Sequence, residues 1–172
     1  MRIPKAATGT TGVGWVFSLR DLPDSNWGSV EGFYASVLGN RRGKEFTFES
    51  EVWGTFRTAA RRPNKGDGIA FYHAAAAKFP KDDKFHRSPR VSLVGAIEGV
   101  AWKGSQVKGL YVRANTALSR SLQSHPIVRT KRTADFFARC GIVSASVATM
   151  YWADQIAWYV LNAWLRERGT EA

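Results

Sequence analysis

Residues 52–73 read VWGTFRTAARRPNKGDGIAFYH, and their layout decides the fold. A tryptophan opens the stretch, and four cations follow it (Arg57, Arg61, Arg62 and Lys65) before any acid appears. Asn64-Lys65-Gly66-Asp67 then reads as a turn, because Gly adopts left-handed backbone freely and Asn and Asp bond their own backbone. Beyond it, residues 68–74 (GIAFYHA) form a short apolar run that predicts a strand.

Working outward, residues 14–19 (GWVFSL) predict a strand, and 46–53 (FTFESEVW) alternate like a half-buried one. Residues 90–102 (RVSLVGAIEGVAW) are the longest strand candidate, with Gly95 and Gly99 as bulge points. Residues 107–114 (VKGLYVRA) return as its hairpin partner after a Lys-Gly-Ser turn. A short helix is expected to open near Ser29, and two more over 117–123 and 133–140, the last with Thr133 as N-cap. Residues 141–148 (GIVSASVA) alternate as a strand. Thr149 is then expected to cap a helix in which Trp152, Ile156, Tyr159, Val160 and Ala163 recur every three or four positions, with Gly169 as its stop. Five or six mostly antiparallel strands and two or three helices make an α+β domain on a curled mixed sheet or small pseudo-β-barrel. Residues 1–13 read as a loose arm and 14–169 as a single domain.

The 172 residues carry a net charge of +11, and 44% of them are hydrophobic. That is a globular composition with a field that attracts polyanions. Between Glu98 and Asp135 lie seven cations (Lys103, Lys108, Arg113, Arg120, Arg129, Lys131, Arg132) and no carboxylate. The alternatives are a solvated basic face and one that meets nucleic acid. Cys140 is the only cysteine, so no disulfide framework forms, and a reducing, cytoplasmic setting is expected. The apolar stretch 142–165 contains Asp154, Gln155 and Asn162, which suits a buried strand and helix better than a membrane span.

Catalytic signatures are sparse. The three histidines (His73, His86, His125) fall in no metal spacing, so no metal or cofactor is expected. No phosphate-binding glycine loop or nucleophile elbow occurs. Asp82-Asp83 is the one adjacent acidic pair, set in a lysine-rich loop. What remains is aromatic side chains among cations, the combination that stacks bases and grips phosphates. Trp53 with Arg57, Arg61, Arg62 and Lys65 supplies it, though Trp53 can also be read as a barrel-rim aromatic. Trp102 is either a second stacking surface or a rim residue, and Trp15 either core or pocket wall. His73 can be an ordinary hydrogen-bonded strand residue. Trp152, Trp158 and Trp164 read as packing, and Trp27 as an exposed loop contact.

Trp53, its basic segment and Asn64-Lys65-Gly66-Asp67-Gly68-Ile69-Ala70-Phe71-Tyr72-His73 resemble the central signature of EVE domains. These belong to the PUA-like group with the YTH and ASCH domains. Val94-Gly95-Ala96-Ile97-Glu98-Gly99-Val100 is similar to the strand that follows in that family. Leu118, Leu122, Pro126, Phe136, Gly141, the 143–147 strand, Thr149, Trp152 and Ile156 keep its order. Trp15-Val16-Phe17-Ser18-Leu19-Arg20 keeps the family's opening Trp and loses the Lys-Ser-Glu-Pro after it. Phe56-Arg57-Thr58 stands where the family has an Asn.

The resemblance implies a non-enzymatic module whose aromatic pocket accepts a flipped or modified base, such as a methylated one, from DNA or RNA. It places Trp15, Ser18, Trp53, Phe56, Thr58, Tyr72, His73 and Trp102 around the base. Arg57, Arg61, Arg62, Lys65, Arg129, Lys131 and Arg132 would hold phosphates. By the same analogy the module would serve an effector nuclease or processing protein. Two other readings stay open: an ASCH-like nuclease or hydrolase, and a protein-interaction domain anchored by Trp27 or Trp102.

Overall fold

In chain order the strands are β1 (Gly14–Leu19), β2 (Lys44–Thr47), β3 (Gly68–His73), β4 (Arg90–Lys103), β5 (Gln106–Ala114), β6 (Ile127–Val128) and β7 (Thr149–Ala153). The helices are α1 (Thr116–Ser124), α2 (Ala134–Arg139) and α3 (Gln155–Thr170). They come from a computed structural model that describes residues 11–19, 44–47, 62–73, 90–104, 106–140 and 149–170. The expected strand over 141–148, the rest of the strand at 48–53 and the helix near Ser29 lie outside those residues.

The strands form one mixed sheet in the order β2-β5-β4-β3-β1-β7, with β6 paired to β4. Among the described residues only β1 and β3 run parallel, and every other pairing is antiparallel. Among the described residues β2 and β7 end the sheet without meeting, so it is not closed into a barrel. The expected α+β class and mixed sheet match this architecture. Among the described residues the three helices fall within the two or three expected, while the strands number seven rather than five or six and the sheet is open rather than a pseudo-β-barrel.

β4 carries the sheet because it has three partners, β3, β5 and β6. Its register with β5 shifts between Ile97 and Gly99 and again between Ala101 and Trp102. The first shift falls at the expected Gly99. The expected Gly95 pairs regularly with both Ile69 and Ala114. Glu98, skipped by the register, forms an ion pair with Arg113.

Strand alternation builds two buried faces. Trp15, Phe17, Ile69, Phe71, Leu93 and Ile97 share one, and all are buried. Val16, Ala70, Tyr72, Val91 and Val94 point the other way, into a core shared with Leu122, Phe137, Trp158 and Leu161 from the helical side. Gly14 admits the ring of Trp158, since a Cβ there would lie 2.6 Å from it.

Local chemistry sets the helices. Asn115 caps α1 by accepting from the Leu118 amide at 3.2 Å. The buried Ser119 of α1 satisfies Val94 of β4 twice, accepting from its amide at 3.1 Å and donating to its carbonyl at 3.0 Å. Pairing with β5 begins only at Gly95, and the Val94 carbonyl also accepts from the Asn115 amide at 2.9 Å.

Two expectations fail at the C-terminal helices. Thr149 opens β7 rather than capping a helix, and Trp152 lies on that strand. The cap is Asp154, whose Oδ1 accepts from the Ala157 amide at 2.8 Å. The buried face of α3 is therefore Ala157, Trp158, Leu161 and Leu165, while Ile156 is 56% exposed. Helical spacing fits both stripes, and the one-residue difference decides which packs. α3 also runs past the expected stop at Gly169 to Thr170. Thr133 gives α2 no side-chain cap. Its hydroxyl instead accepts from the Thr130 amide at 2.9 Å and donates to the Val128 carbonyl at 2.9 Å.

Candidate functional site

The turn between residues 64 and 67 organises one edge of the candidate site. Gly66 takes φ +95°, a conformation that favours glycine. Its amide donates to the Ile97 carbonyl and the Ile97 amide donates back to Asp67, both at 2.8 Å, which fastens the turn to β4. The Asp67 side chain is buried and accepts three hydrogen bonds. Thr11 Oγ1 donates at 2.9 Å, the Asn64 amide at 3.0 Å and Trp15 Nε1 at 3.0 Å. A carboxylate with three donors is well satisfied without an ion partner. Thr11 to Val13, the end of the expected loose arm, are consequently held against the turn, where the Thr11 amide reaches Gly66 and Val13 accepts from Gly68.

Trp15 is therefore wholly buried, with its N–H committed to Asp67 and its ring edge-on to Trp152 at 5.3 Å. Tyr72 is also wholly buried, tilted against Phe137 at 5.0 Å. Neither presents a ring to solvent. Ser18 and His73 are described by their backbone alone: Ser18 pairs with Tyr72, and His73 with Leu19 and Arg90.

Trp102 differs. It lies near the end of β4, 41% exposed, and the guanidinium of Arg62 sits over its ring, 5.3 Å from the centroid. The two come from segments 40 residues apart in sequence, and each was expected at the site for a separate reason. Such a cation–π contact contributes roughly 0.5–1 kcal/mol at an exposed position. Arg62 is the entry to the turn, where its carbonyl accepts from Asn64 Nδ2 at 3.2 Å. Lys65, on the turn itself, is exposed. Tyr111 of β5, opposite Gly99, adds an exposed aromatic that the sequence reading passed over.

The second set of expected phosphate ligands sits elsewhere, on the turn between β6 and α2. Arg129 is half-buried, donating to Tyr72 Oη at 3.5 Å and lying 5.7 Å from the Phe137 centroid. Its guanidinium thus belongs partly to the core. Lys131 and Arg132 are exposed. Arg132 lines a cleft of about 340 Å³ between this turn and α3. The sequence offered no sign of that cleft, because its other wall comes from a helix more than thirty residues away.

Trp53, Phe56, Arg57, Thr58 and Arg61, together with Trp27, lie outside the described residues. Within the described residues no group of three or more His, Cys, Asp or Glu is arranged to hold a metal ion. No helix among them is long and apolar enough to cross a membrane. Cys140 is buried, and burial, reinforced by the nearby Asp154 carboxylate, pushes its thiol from 9.0 up to about 12. A thiol so held is protonated and unreactive at neutral pH.

Comparison with known proteins finds no match to any family model, curated protein or solved structure.

Proposed function

We propose that this chain is a non-enzymatic nucleic-acid-binding module of the EVE type within the PUA-like group, holding an unstacked or modified base against aromatic side chains on a cationic surface. The observation that carries the reading is Trp102, exposed beside Arg62 on a chain of net charge +11. An exposed indole with a guanidinium at its face offers a base a stacking surface and a phosphate a charge-assisted donor. Arg62 and Lys65 grip the backbone of the strand, and Trp102 supports a base next to it. Trp53, with Phe56 and Thr58, forms the pocket for the modified base itself, as the resemblance to EVE domains implies. An effector that cuts or processes the marked nucleic acid is the partner such a sensor would serve.

The test is a titration against short single- and double-stranded oligonucleotides that carry a panel of methylated and unmethylated bases. Preference for one modification, lost in Trp53→Ala, is the expected result. Equal affinity for every member of the panel, with Trp53→Ala unchanged, would remove the modified-base reading. Recovered ligand should be intact; cleaved product would move the chain to the ASCH-like hydrolases.

A further inference from the structure

We propose that the cleft between the β6–α2 turn and α3 is a second binding site, which takes one phosphorylated nucleoside unit of a single strand. The proposal rests on the nucleic-acid reading above but on different residues. Trp102 and the cleft are served by opposite ends of β4, because β6 pairs with Arg90 and Val91. Twelve strand residues separate those ends, a span of up to roughly 40 Å.

At about 340 Å³, the cleft has the size of a small-molecule site. Its lining is divided by chemistry. Ile127, Val128 and the indole of Trp164 give an apolar wall, and Thr130 and Arg132 give a polar rim. The wall is backed by the core: Trp164 packs edge-on against Phe136 at 5.4 Å, and Phe136 against the buried Phe137 at 5.1 Å. The rim is set by Thr133, whose hydroxyl bonds the Thr130 amide and the Val128 carbonyl and so fixes the turn that carries Arg132. Arg132 is the exposed cation of the cleft, and a guanidinium beside a hydroxyl suits a phosphate. Glu167 stands on the α3 side. A carboxylate repels a second phosphate but accepts from an exocyclic amine, which favours a base carrying one over a bare anion. An aromatic wall, a rim with one guanidinium and one opposing carboxylate together describe a nucleotide better than inorganic phosphate or an apolar ligand.

The experiment uses the full chain and two-dimensional NMR, with adenosine 5′-monophosphate, adenosine and inorganic phosphate as probes. The nucleotide is expected to shift the Trp164 indole and the Thr130 and Arg132 amides. Adenosine should bind at least about fivefold more weakly, since it lacks the charged contact. Arg132→Glu, at an exposed position, should abolish those shifts without unfolding the chain. Thr130→Val should weaken them, a second surface change in case Arg132→Glu alters the turn.

The outcomes separate the two proposals. Cleft signals that stay still while the Trp102 indole responds to an oligonucleotide would overturn the cleft and keep the function. Cleft signals that move while Trp102 stays still would keep the cleft and overturn the role of Trp102. Silence at both sites would overturn both. A response to inorganic phosphate equal to that for the nucleotide would overturn the nucleotide assignment.

Discussion

Trp15 and Trp102 lie on the same sheet and have opposite uses. Trp15, on the inner strand β1, finds the Asp67 carboxylate for its N–H and disappears into the interior. Trp102, near the end of β4, is 41% exposed, and the Arg62 guanidinium lies over its face. An indole is buried most easily when its one donor has an acceptor inside, and Asp67 is that acceptor. The difference assigns one tryptophan to the fold and leaves the other available to a ligand. It also gives the Gly66-Asp67 pair a structural purpose, since the Asp67 carboxylate holds β1 and the segment before it to the turn, and the turn's backbone is fastened to β4 at Ile97.

This contrast can be broken most severely at Asp67. Asp67→Ala leaves the buried Trp15 N–H unsatisfied, at about 1–3 kcal/mol, and removes the part-buried bonds from Thr11 and Asn64, at about 0.5–1.5 kcal/mol each. Urea denaturation should show a loss on the order of 3 kcal/mol or more. A loss below about 1 kcal/mol would mean that water replaces the carboxylate and that the hub is dispensable.

Trp15→Phe sharpens the contrast further. It removes one donor but keeps most of the buried ring, so denaturation should report a smaller loss, about 1–3 kcal/mol. The same change at Trp102 should leave stability within about 0.5 kcal/mol, as for surface substitutions generally. Equal costs at the two positions would erase the distinction between them.

Much of this architecture is legible in the sequence. The apolar runs at 14–19, 68–74, 90–102 and 107–114 mark their strands to within a residue, and Gly66-Asp67 marks its turn, because both signals are local. What is not legible is which distant groups meet. Nothing in the spacing of Trp15 and Asp67, 52 residues apart, announces a hydrogen bond between them. The same limit explains the misplaced helix start. Thr149 and Asp154 are both good N-caps, and only the pairing of β7 with β1 decides that the chain stays extended to Ala153. Thr133 failed as a cap because its hydroxyl had nearer partners in the preceding turn. At the candidate site, each member of the Arg62–Trp102 pair was legible separately, but their stacking depends on the fold.

The effect of Trp102→Ala on binding is predicted to be of the size of one stacked base, about 1–3 kcal/mol, or roughly fivefold to 150-fold in affinity. Fluorescence anisotropy with a labelled single strand would measure it. Binding that is unchanged would assign the exposed indole to another partner, such as a protein.

The smallest effect concerns the helical side of the core and emerges only in base. Since the folded chain holds the Cys140 proton more tightly than the unfolded one, its contribution is complete below pH 9.0 and is lost as pH rises toward about 12. Between pH 8 and 10, the stability of the wild type should fall relative to Cys140→Ala by about 1 kcal/mol. Parallel pH profiles would show that the thiol titrates normally and is not buried as described.

The most direct test of the central claim is affinity for a single-stranded oligonucleotide measured across a range of salt concentrations, for the wild type, Arg62→Ala and Trp102→Ala. The account predicts that log affinity falls linearly with log salt, that Arg62→Ala lowers the slope by roughly 0.7, and that Trp102→Ala weakens binding at every salt concentration without changing the slope. Affinity that is flat in salt, or a slope that changes with Trp102 and not with Arg62, would contradict it.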